Sequence, residues 1–197
     1  MTTRMEKAKK GKIFVVSAPS GCGKSSIINA IMAEGEVPLR FSVSATNRSP
    51  REGEKDGVHY HFISTEEFEK AIADDRFVEW EEVYPGRYYG TLKDEVRRAL
   101  DRGENIVLDI DVKGAMNVKK QFGDEALTLF VLPPSVDELR RRLEARGTDA
   151  EDVIDERVSK AEYEISFAGC LDRRIVNDSL EDAVSETKKI LIEFLNG

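Results

Sequence analysis

Short apolar runs alternate with charged segments along most of this chain. The runs have the length of buried strands, and the charged segments between most of them place their apolar residues at helical spacing. This alternation predicts an α/β protein whose parallel sheet is covered by helices on both faces. The predicted strands are residues 13–17, 39–44, 106–110, 127–132 and 174–176.

Two segments break this alternation and are predicted to be insertions. Residues 44–91 are dense in Gly, Arg, Glu and aromatic residues, which is typical of a small, partly β lobe. Residues 135–167 begin with Ser135, a good helix N-cap that has Glu138 at the capping-box spacing, so they predict a helical excursion. We expect one domain over residues 1–197, with a core formed by residues of about 11–43, 92–134 and 168–197.

Composition narrows the possible classes of protein. The chain has 197 residues, 40% of them hydrophobic, which is enough for one domain with a sizeable core. A net charge of −8 argues against broad attraction to nucleic acid or to an anionic membrane. No apolar run approaches the roughly 20 residues of a membrane span, and Cys22 and Cys170 lack metal-ligand spacing. We therefore expect a cytoplasmic protein in a reducing compartment without a structural metal.

The richest segment for chemistry follows the first predicted strand. Glycines in a turn that opens a helix expose backbone N–H groups, which together with the helix dipole can surround a chain of phosphates. Lys24 adds a positive charge for the β- and γ-phosphates, and the hydroxyl of Ser25 can bind Mg²⁺. The alternative is an ordinary strand–turn–helix junction. The candidate ATP-binding residues of this turn are Ala18, Pro19, Ser20, Gly21, Cys22, Gly23, Lys24, Ser25 and Ser26.

Asp109 is the candidate second contributor to the Mg²⁺ site. It ends the apolar run 106–108, and ligands bind at the carboxyl ends of strands in this architecture. The alternative is a helix-capping or turn acid. We expect Asp109 to act near the metal, through water.

Arginines and a tyrosine of the 44–91 segment are candidates for binding a phosphomonoester. Arg48 and Arg51 offer planar forks of N–H donors, and the phenol of Tyr60 can add a further donor. The alternative is a solvated loop in which the arginines pair with Glu52 and Glu54.

Two carboxylates are candidate readers of a base. Glu79 and Asp111 provide only acceptors, which match the adjoining N1–H and N2–H₂ donors of guanine and repel the N1 acceptor of adenine. Hydroxyls of Ser44 and Thr91 can meet O6 and N7, and Tyr89 can contact the phosphate or the base. The alternative for Glu79 is an exposed acid at a strand end.

The 135–167 segment is rich in arginine. Three consecutive arginines of one helix point in different directions, so Arg140 or Arg141 is expected to face solvent and pair with Glu138 or Glu144. The better candidates for stabilising charge on a transferring phosphoryl group are Arg142, Arg146 and Arg157.

These motifs, in this order, resemble the guanylate kinase family from Gly11 to Leu195. The matching patterns are S-A-P-S-G-x-G-K-S, T-R-x-P-R-x-G-E, F-[IVL]-E, Y-Y-G-[ST], L-D-I-D, P-P-S and I-V-N-D. Ala18 replaces the first glycine of the general phosphate-loop pattern, Asn47 replaces a usual threonine, and Thr91 stands where many members have serine.

The resemblance implies a P-loop kinase fold with an inserted mixed α/β GMP-binding lobe, about 44–91, and a helical lid, about 135–167. It implies Mg²⁺-dependent transfer of the γ-phosphate of ATP to GMP, and to dGMP, with no nucleic-acid or membrane partner. Lys24, Arg48, Arg142, Arg146 and Arg157 would be catalytic. Asn177 would lie near the adenine, or would be a turn residue after the last strand. GMP would be held by Ser44, Arg48, Arg51, Tyr60, Glu79, Tyr89, Thr91 and Asp111.

Two other functions stay open at this point. Some guanylate-kinase-like domains of scaffold proteins recognise phosphorylated peptides instead of catalysing, although they tend to lack the phosphate cradle. A related kinase for another phosphorylated acceptor, such as a ribose phosphate, would have no use for the base-reading residues. The sequence does not distinguish a monomer from a homo-oligomer, and it leaves the preference for GMP over dGMP and regulation by nucleotides open.

Overall fold

The computed structural model describes residues 10–145, 147 and 150–197. The strands are β1 (Ile13–Ser17), β2 (Leu39–Phe41), β3 (Ala45–Thr46), β4 (His61–Phe62), β5 (Phe77–Tyr84), β6 (Arg87–Leu92), β7 (Asn105–Asp109), β8 (Ala126–Leu132) and β9 (Arg173–Val176). The helices are α1 (Lys24–Glu34), α2 (Thr65–Ala73), α3 (Lys93–Asp101), α4 (Val112–Phe122), α5 (Val136–Ala145), α6 (Glu151–Ser166) and α7 (Leu180–Asn196).

All five predicted core strands are present, in one sheet with the order β2-β7-β1-β8-β9. β8 pairs with β9 in parallel register. Along β1 and β7, the N–H of Ile106 donates to Lys12 O, and the N–H of Ile110 donates to Val16 O. Because both partners advance in the same direction, these two strands also run parallel.

Contacts divide the chain into two compact units. The first unit combines residues 10–13 with Leu39–Ile106, and the second combines Phe14–Pro38 with the described part of Val107–Gly197.

The first unit contains the predicted partly β insertion. Its four-stranded sheet has the order β4-β3-β6-β5, and β5 and β6 form an antiparallel hairpin. Its core is a cluster in which Phe68 of α2 stacks on Phe77 of β5 at 4.4 Å between ring centroids, with Ala45 and Ala71 packed beside them. A capping box starts α2, since Ser64 and Glu67 each bond the other's backbone N–H.

The second unit places its apolar strands and helices around the phosphate-loop segment. All five residues of β1 are buried, and so is β8 up to Val131. α4 packs on β8, while α7 packs against α1 and β9. The predicted helix after Ser135 is confirmed as α5, whose Glu138 N–H donates to Ser135 Oγ. None of the described helices is long and apolar enough to cross a membrane.

Candidate active site

The phosphate-loop segment forms a tight turn between β1 and α1. Gly21 and Gly23 have φ angles of 96° and 82°, a region that favours glycine, and Gly23 is the N-cap of α1. A Cβ on Gly21 would lie 2.9 Å from Leu139 Cδ1, so the turn passes closely beneath α5. Ala18, Pro19 and Cys22 are buried, while Ser20, Ser25 and Ser26 are exposed. The turn therefore has the close backbone packing and the exposed outer edge of a phosphate cradle.

Lys24, Ser25 and Asp109 converge at the start of α1. Lys24 Nζ lies 2.5 Å from Asp109 Oδ1, and Ser25 Oγ donates to Asp109 Oδ2 at 3.4 Å. Asp109 is the last residue of β7, so it stands at the carboxyl end of a buried strand, where the sequence predicted it. A hydroxyl and a carboxylate at this separation form the oxygen set that suits Mg²⁺.

Asn177 lies behind this turn. It is 6% exposed, and its side-chain Nδ2 donates to Cys22 O at 2.7 Å. Its backbone N–H donates to Leu132 O. The contact with adenine that the resemblance implies stays a prediction.

Each of the three consecutive arginines of α5 pairs with an acidic residue, and two of them share Glu138. Arg142 donates from Nε to Glu138 Oε1 at 2.8 Å and from Nη1 to Asn177 O at 3.0 Å. The hydrogen bond from Arg142 is the largest cause that holds the pKa of Glu138 below its usual range. Arg141 pairs with Glu138 and Arg140 with Glu144, as the sequence predicted. Arg140 also makes a 2.5 Å ion pair with Asp155 of α6.

The remaining candidate residues of this part of the chain are two arginines and one acid. Arg157 is half-buried on α6, whereas Arg146 lies outside the described residues. Asp111 is the N-cap of α4, where its Oδ1 accepts from Gly114 N–H at 2.7 Å. One carboxylate oxygen of Asp111 therefore serves the helix, and its role toward a base stays a prediction.

In the first unit, Arg48 forms a bidentate ion pair with Glu54. Arg48 Nη1 and Nη2 donate to the two carboxylate oxygens at 2.6 and 2.7 Å, and only 8% of the Arg48 side chain is exposed. Arg48 Nε also donates to the phenol oxygen of Tyr89 at 3.1 Å, and Nη1 to Ser49 O. The hydrogen bond with Glu54 raises the pKa of Arg48, and the pKa of Glu54 falls from 4.5 to about 2.

The other phosphate candidates surround this ion pair. The Tyr60 ring lies 4.9 Å from the Arg48 guanidinium and 5.8 Å from the Tyr89 ring. The backbone N–H of Arg51 donates to Glu54 Oε2 at 2.7 Å, so one carboxylate fixes both the Arg48 side chain and the Arg51 backbone. The pairing that the sequence left as an alternative thus exists for Arg48 and Glu54.

The base-reading candidates Glu79 and Thr91 are adjacent. They are cross-strand partners on β5 and β6, and Thr91 Oγ1 donates to Glu79 Oε1 at 2.6 Å. Thr91 is fully buried, and Glu79 is half-buried. Ser44 immediately precedes β3, and its carbonyl accepts from His61 N–H. The structure therefore brings Glu79 and Thr91 together, and Thr91 fixes the orientation of the Glu79 carboxylate, while the role of these residues toward a base stays a prediction.

Sequence reasoning missed two residues beside the phosphate candidates. Glu54 was considered only as an alternative partner for the arginines, although it orients them. Arg87 borders the same cavity as Arg48 and Arg51, which has a volume of about 550 Å³. The signal for Arg87 was its place in a Pro-Gly-Arg turn, but a turn alone does not say which residues it approaches.

The family model described as guanylate kinase matches residues 10–194 of this chain. A guanylate kinase of Bacteroides thetaiotaomicron is 53% identical over 190 residues, which cover 96% of this chain and 93% of the relative. A guanylate kinase of Bacteroides fragilis is 51% identical over 193 residues, which cover 98% and 94%.

Among solved structures, the crystal structure of guanylate kinase from Anaplasma phagocytophilum is similar, with a TM-score of 0.69 and 30% sequence identity. The match covers 94% of this chain and 86% of that chain. The predicted fold class, a parallel α/β sheet with inserted lobes, is thereby confirmed.

Proposed function

The chain belongs to the guanylate kinase family, and from this premise we propose that it transfers the γ-phosphate of ATP to GMP, giving ADP and GDP. The observation that carries the proposal is the turn at Gly21–Gly23 with Lys24 at its end, paired to Asp109 at 2.5 Å. A cradle of backbone N–H groups with one lysine is suited to a triphosphate and to the charge that develops during phosphoryl transfer.

Mg²⁺ is part of the proposal. Ser25 Oγ and the Asp109 carboxylate, 3.4 Å apart, are the residues that would hold it, with Asp109 acting through water. The ion supplies positive charge to the phosphate oxygens when it is bound. The chain's own part is to hold Lys24 beside these oxygen ligands.

The acceptor side of the proposal rests on the first unit. Arg48, Arg51, Tyr60 and Tyr89 would bind the phosphate of GMP, and Glu79 with Thr91 and Ser44 would read its base. Support comes from the 2.6 Å bond between Thr91 and Glu79, which aims a carboxylate with acceptors only. Guanine offers that carboxylate two adjoining donors, which a base without paired donors cannot offer.

The insertions also have proposed roles. The lobe of about 44–91 would bind GMP, and the lid of about 135–167 would bring Arg142, Arg146 and Arg157 to the transferring phosphate, with Asp111 contacting the base. We propose that dGMP is a second acceptor, because none of the residues assigned to the base or phosphate depends on the ribose 2′-hydroxyl. Lobe and lid closure would exclude water and limit ATP hydrolysis.

The test is an ADP-release assay with ATP and Mg²⁺ in which GMP, dGMP, AMP, CMP, UMP and dTMP are offered in parallel. We expect turnover with GMP and dGMP only. Lys24→Ala should lower kcat by roughly 100-fold or more, and Lys120→Ala, an exposed position on α4, should leave it unchanged.

Two results would contradict the proposal. Turnover with a different phosphorylated acceptor and none with GMP would indicate the related kinase. A folded protein that binds neither ATP nor ADP would indicate the scaffold function.

A further inference from the structure

Asn177 connects three parts of the second unit. Its backbone N–H donates to Leu132 O at 2.8 Å, which ties it to the end of β8. Its side-chain Nδ2 donates to Cys22 O at 2.7 Å in the phosphate loop. Its own carbonyl accepts from Arg142 Nη1 at 3.0 Å on α5. One buried residue thus contacts the sheet, the loop and an arginine of the lid.

The loop is shaped to accept this side chain. A Cβ on Gly23 would lie 2.3 Å from Asn177 Nδ2, so the space that the glycine leaves empty is occupied by the carboxamide. The φ of Gly23 is 82°, a backbone conformation that favours glycine at this position. A residue with a Cβ at position 23 would displace the Asn177 carboxamide.

The contact with Cys22 O controls a donor on the opposite side of the same peptide unit. The peptide bond is planar and trans, so its C=O and its N–H point in opposite directions. Because the carbonyl of Cys22 is held toward the buried Asn177, the N–H of Gly23 is turned away from Asn177. That N–H is one of the donors of a phosphate cradle.

We propose that Asn177 is a positioning residue that fixes the Cys22–Gly23 peptide so that the Gly23 N–H faces the phosphates. Without it, the Cys22 carbonyl loses this hydrogen bond, so the peptide is held less firmly and its N–H is aimed less accurately at the phosphates. The inference rests on the proposed use of ATP, while its test measures binding and needs no turnover of GMP. The role differs from an adenine contact, since it acts on phosphates whatever base they carry.

The experiment compares the affinity for MgATP with the affinity for tripolyphosphate, which has no base. The variants are Asn177→Asp, Asn177→Ala and the control Asn117→Asp, which makes the same exchange at an exposed position of α4. Affinities are measured by calorimetry between pH 5.5 and 8. Thermal unfolding identifies the variants that are folded under these conditions.

We expect Asn177→Asp to lower the affinity for both ligands by about tenfold or more at pH 8, because a carboxylate cannot donate to Cys22 O and repels the phosphates. Burial disfavours the charged form of a carboxyl group, so at pH 5.5 its hydroxyl can donate to Cys22 O. The loss of affinity relative to the unsubstituted protein should therefore be smaller at pH 5.5 than at pH 8. Asn177→Ala should lower the affinity for both ligands by the same factor at every pH. It serves as the test if Asn177→Asp does not fold.

Three results would overturn the inference. Loss of ATP affinity with unchanged tripolyphosphate affinity would assign Asn177 to the adenine. A defect of Asn177→Asp that does not narrow at low pH would remove the donor role. Unchanged affinities for both ligands in folded Asn177→Ala would show that the loop keeps its shape without Asn177.

Discussion

Glu54 binds Arg48 with both carboxylate oxygens, at 2.6 and 2.7 Å, and accepts the backbone N–H of Arg51 with one of them. Together with the bonds to Tyr89 and Ser49, this pairing uses four of the five N–H groups of the Arg48 guanidinium. Among the described residues, one N–H of Nη2 has no partner, so Arg48 has a single donor to offer a ligand while the pair lasts.

Glu54→Gln should therefore raise KM for GMP and leave KM for ATP unchanged. The amide has one acceptor oxygen and no negative charge where the carboxylate has two oxygens, so the fixed geometry of Arg48 and of the Arg51 backbone is weakened. We expect a rise of roughly three- to tenfold, the size that follows from weakening one charge-assisted hydrogen bond. Glu52→Gln, at an exposed position of the same loop, is the matched control. Equal changes in both KM values would assign Glu54 to overall folding.

The same ion pair predicts a pH dependence of stability. The pKa of Glu54 is lowered from 4.5 to about 2, chiefly by its hydrogen bonds with Arg48. A carboxyl group whose pKa is lower in the folded state stabilises that state at any pH above its ordinary pKa. This stabilisation is lost as the pH falls toward the pKa of the folded state. The difference in Tm between the unmodified protein and Glu54→Gln should be constant above pH 5 and shrink between pH 4.5 and 2. A constant difference down to pH 2 would contradict the assignment.

The sequence predicted the sheet well because buried parallel strands leave a strong local pattern. β1 coincides with the predicted run 13–17, and the phosphate loop with Lys24 follows directly from it. Local spacing also predicted the Arg141–Glu138 pair and the cap at Ser135. Such features depend on neighbours in the chain, which the sequence displays.

Contacts between distant residues were not predictable in the same way. Asn177 and Cys22 are 155 positions apart, and nothing near either residue indicates their hydrogen bond. The pairing of Arg48 with Glu54 was visible only as a possibility, since a loop with several arginines and glutamates permits several pairings. Tertiary placement decides among them.

Asn47 stands where the resembled family usually has threonine, and its side chain makes three hydrogen bonds at this position. Asn47 Nδ2 donates to Thr65 Oγ1 at 2.9 Å and to Gly86 O at 2.8 Å, while Oδ1 accepts from Tyr88 N–H at 2.8 Å. The carboxamide thus joins β3 to the β5–β6 hairpin and to α2.

Asn47→Thr should destabilise the protein, because one hydroxyl cannot replace three hydrogen bonds. At about 1 kcal/mol for each lost bond, we expect a loss of about 1–2 kcal/mol. For a chain of this length that lowers Tm by about 2–4 °C per kcal/mol. Urea unfolding of the two proteins checks the prediction, and an equal or higher stability of Asn47→Thr would contradict it.

The two cysteines should differ sharply in reactivity. Cys22 is fully buried in the phosphate loop, whereas Cys170 is exposed. Since a thiol reagent needs access to sulfur, the native protein should show one rapidly modified thiol, and the second should react only on unfolding. Cys170→Ser should abolish the rapid phase. Rapid modification that persists in this variant would mean that the loop opens readily enough to expose Cys22.

Glu79→Gln should separate recognition of the base from binding of the phosphates. Thr91 Oγ1 donates to Glu79 Oε1 at 2.6 Å, which fixes the orientation of the carboxylate proposed to read the base. A glutamine at this place can present an N–H₂ group where guanine also presents donors. If the amide turns the other way, the Thr91 hydroxyl loses the oxygen to which it donates. We expect the KM for GMP to rise by about tenfold or more, since an unmatched polar group in a closed site is costly. The Kd of ATP should change by less than about twofold.

Glu69→Gln, at an exposed position of α2, provides the matched control. If Glu79→Gln weakened ATP and GMP equally, with a lower Tm, then Glu79 would support the β5–β6 hairpin and another residue would read the base.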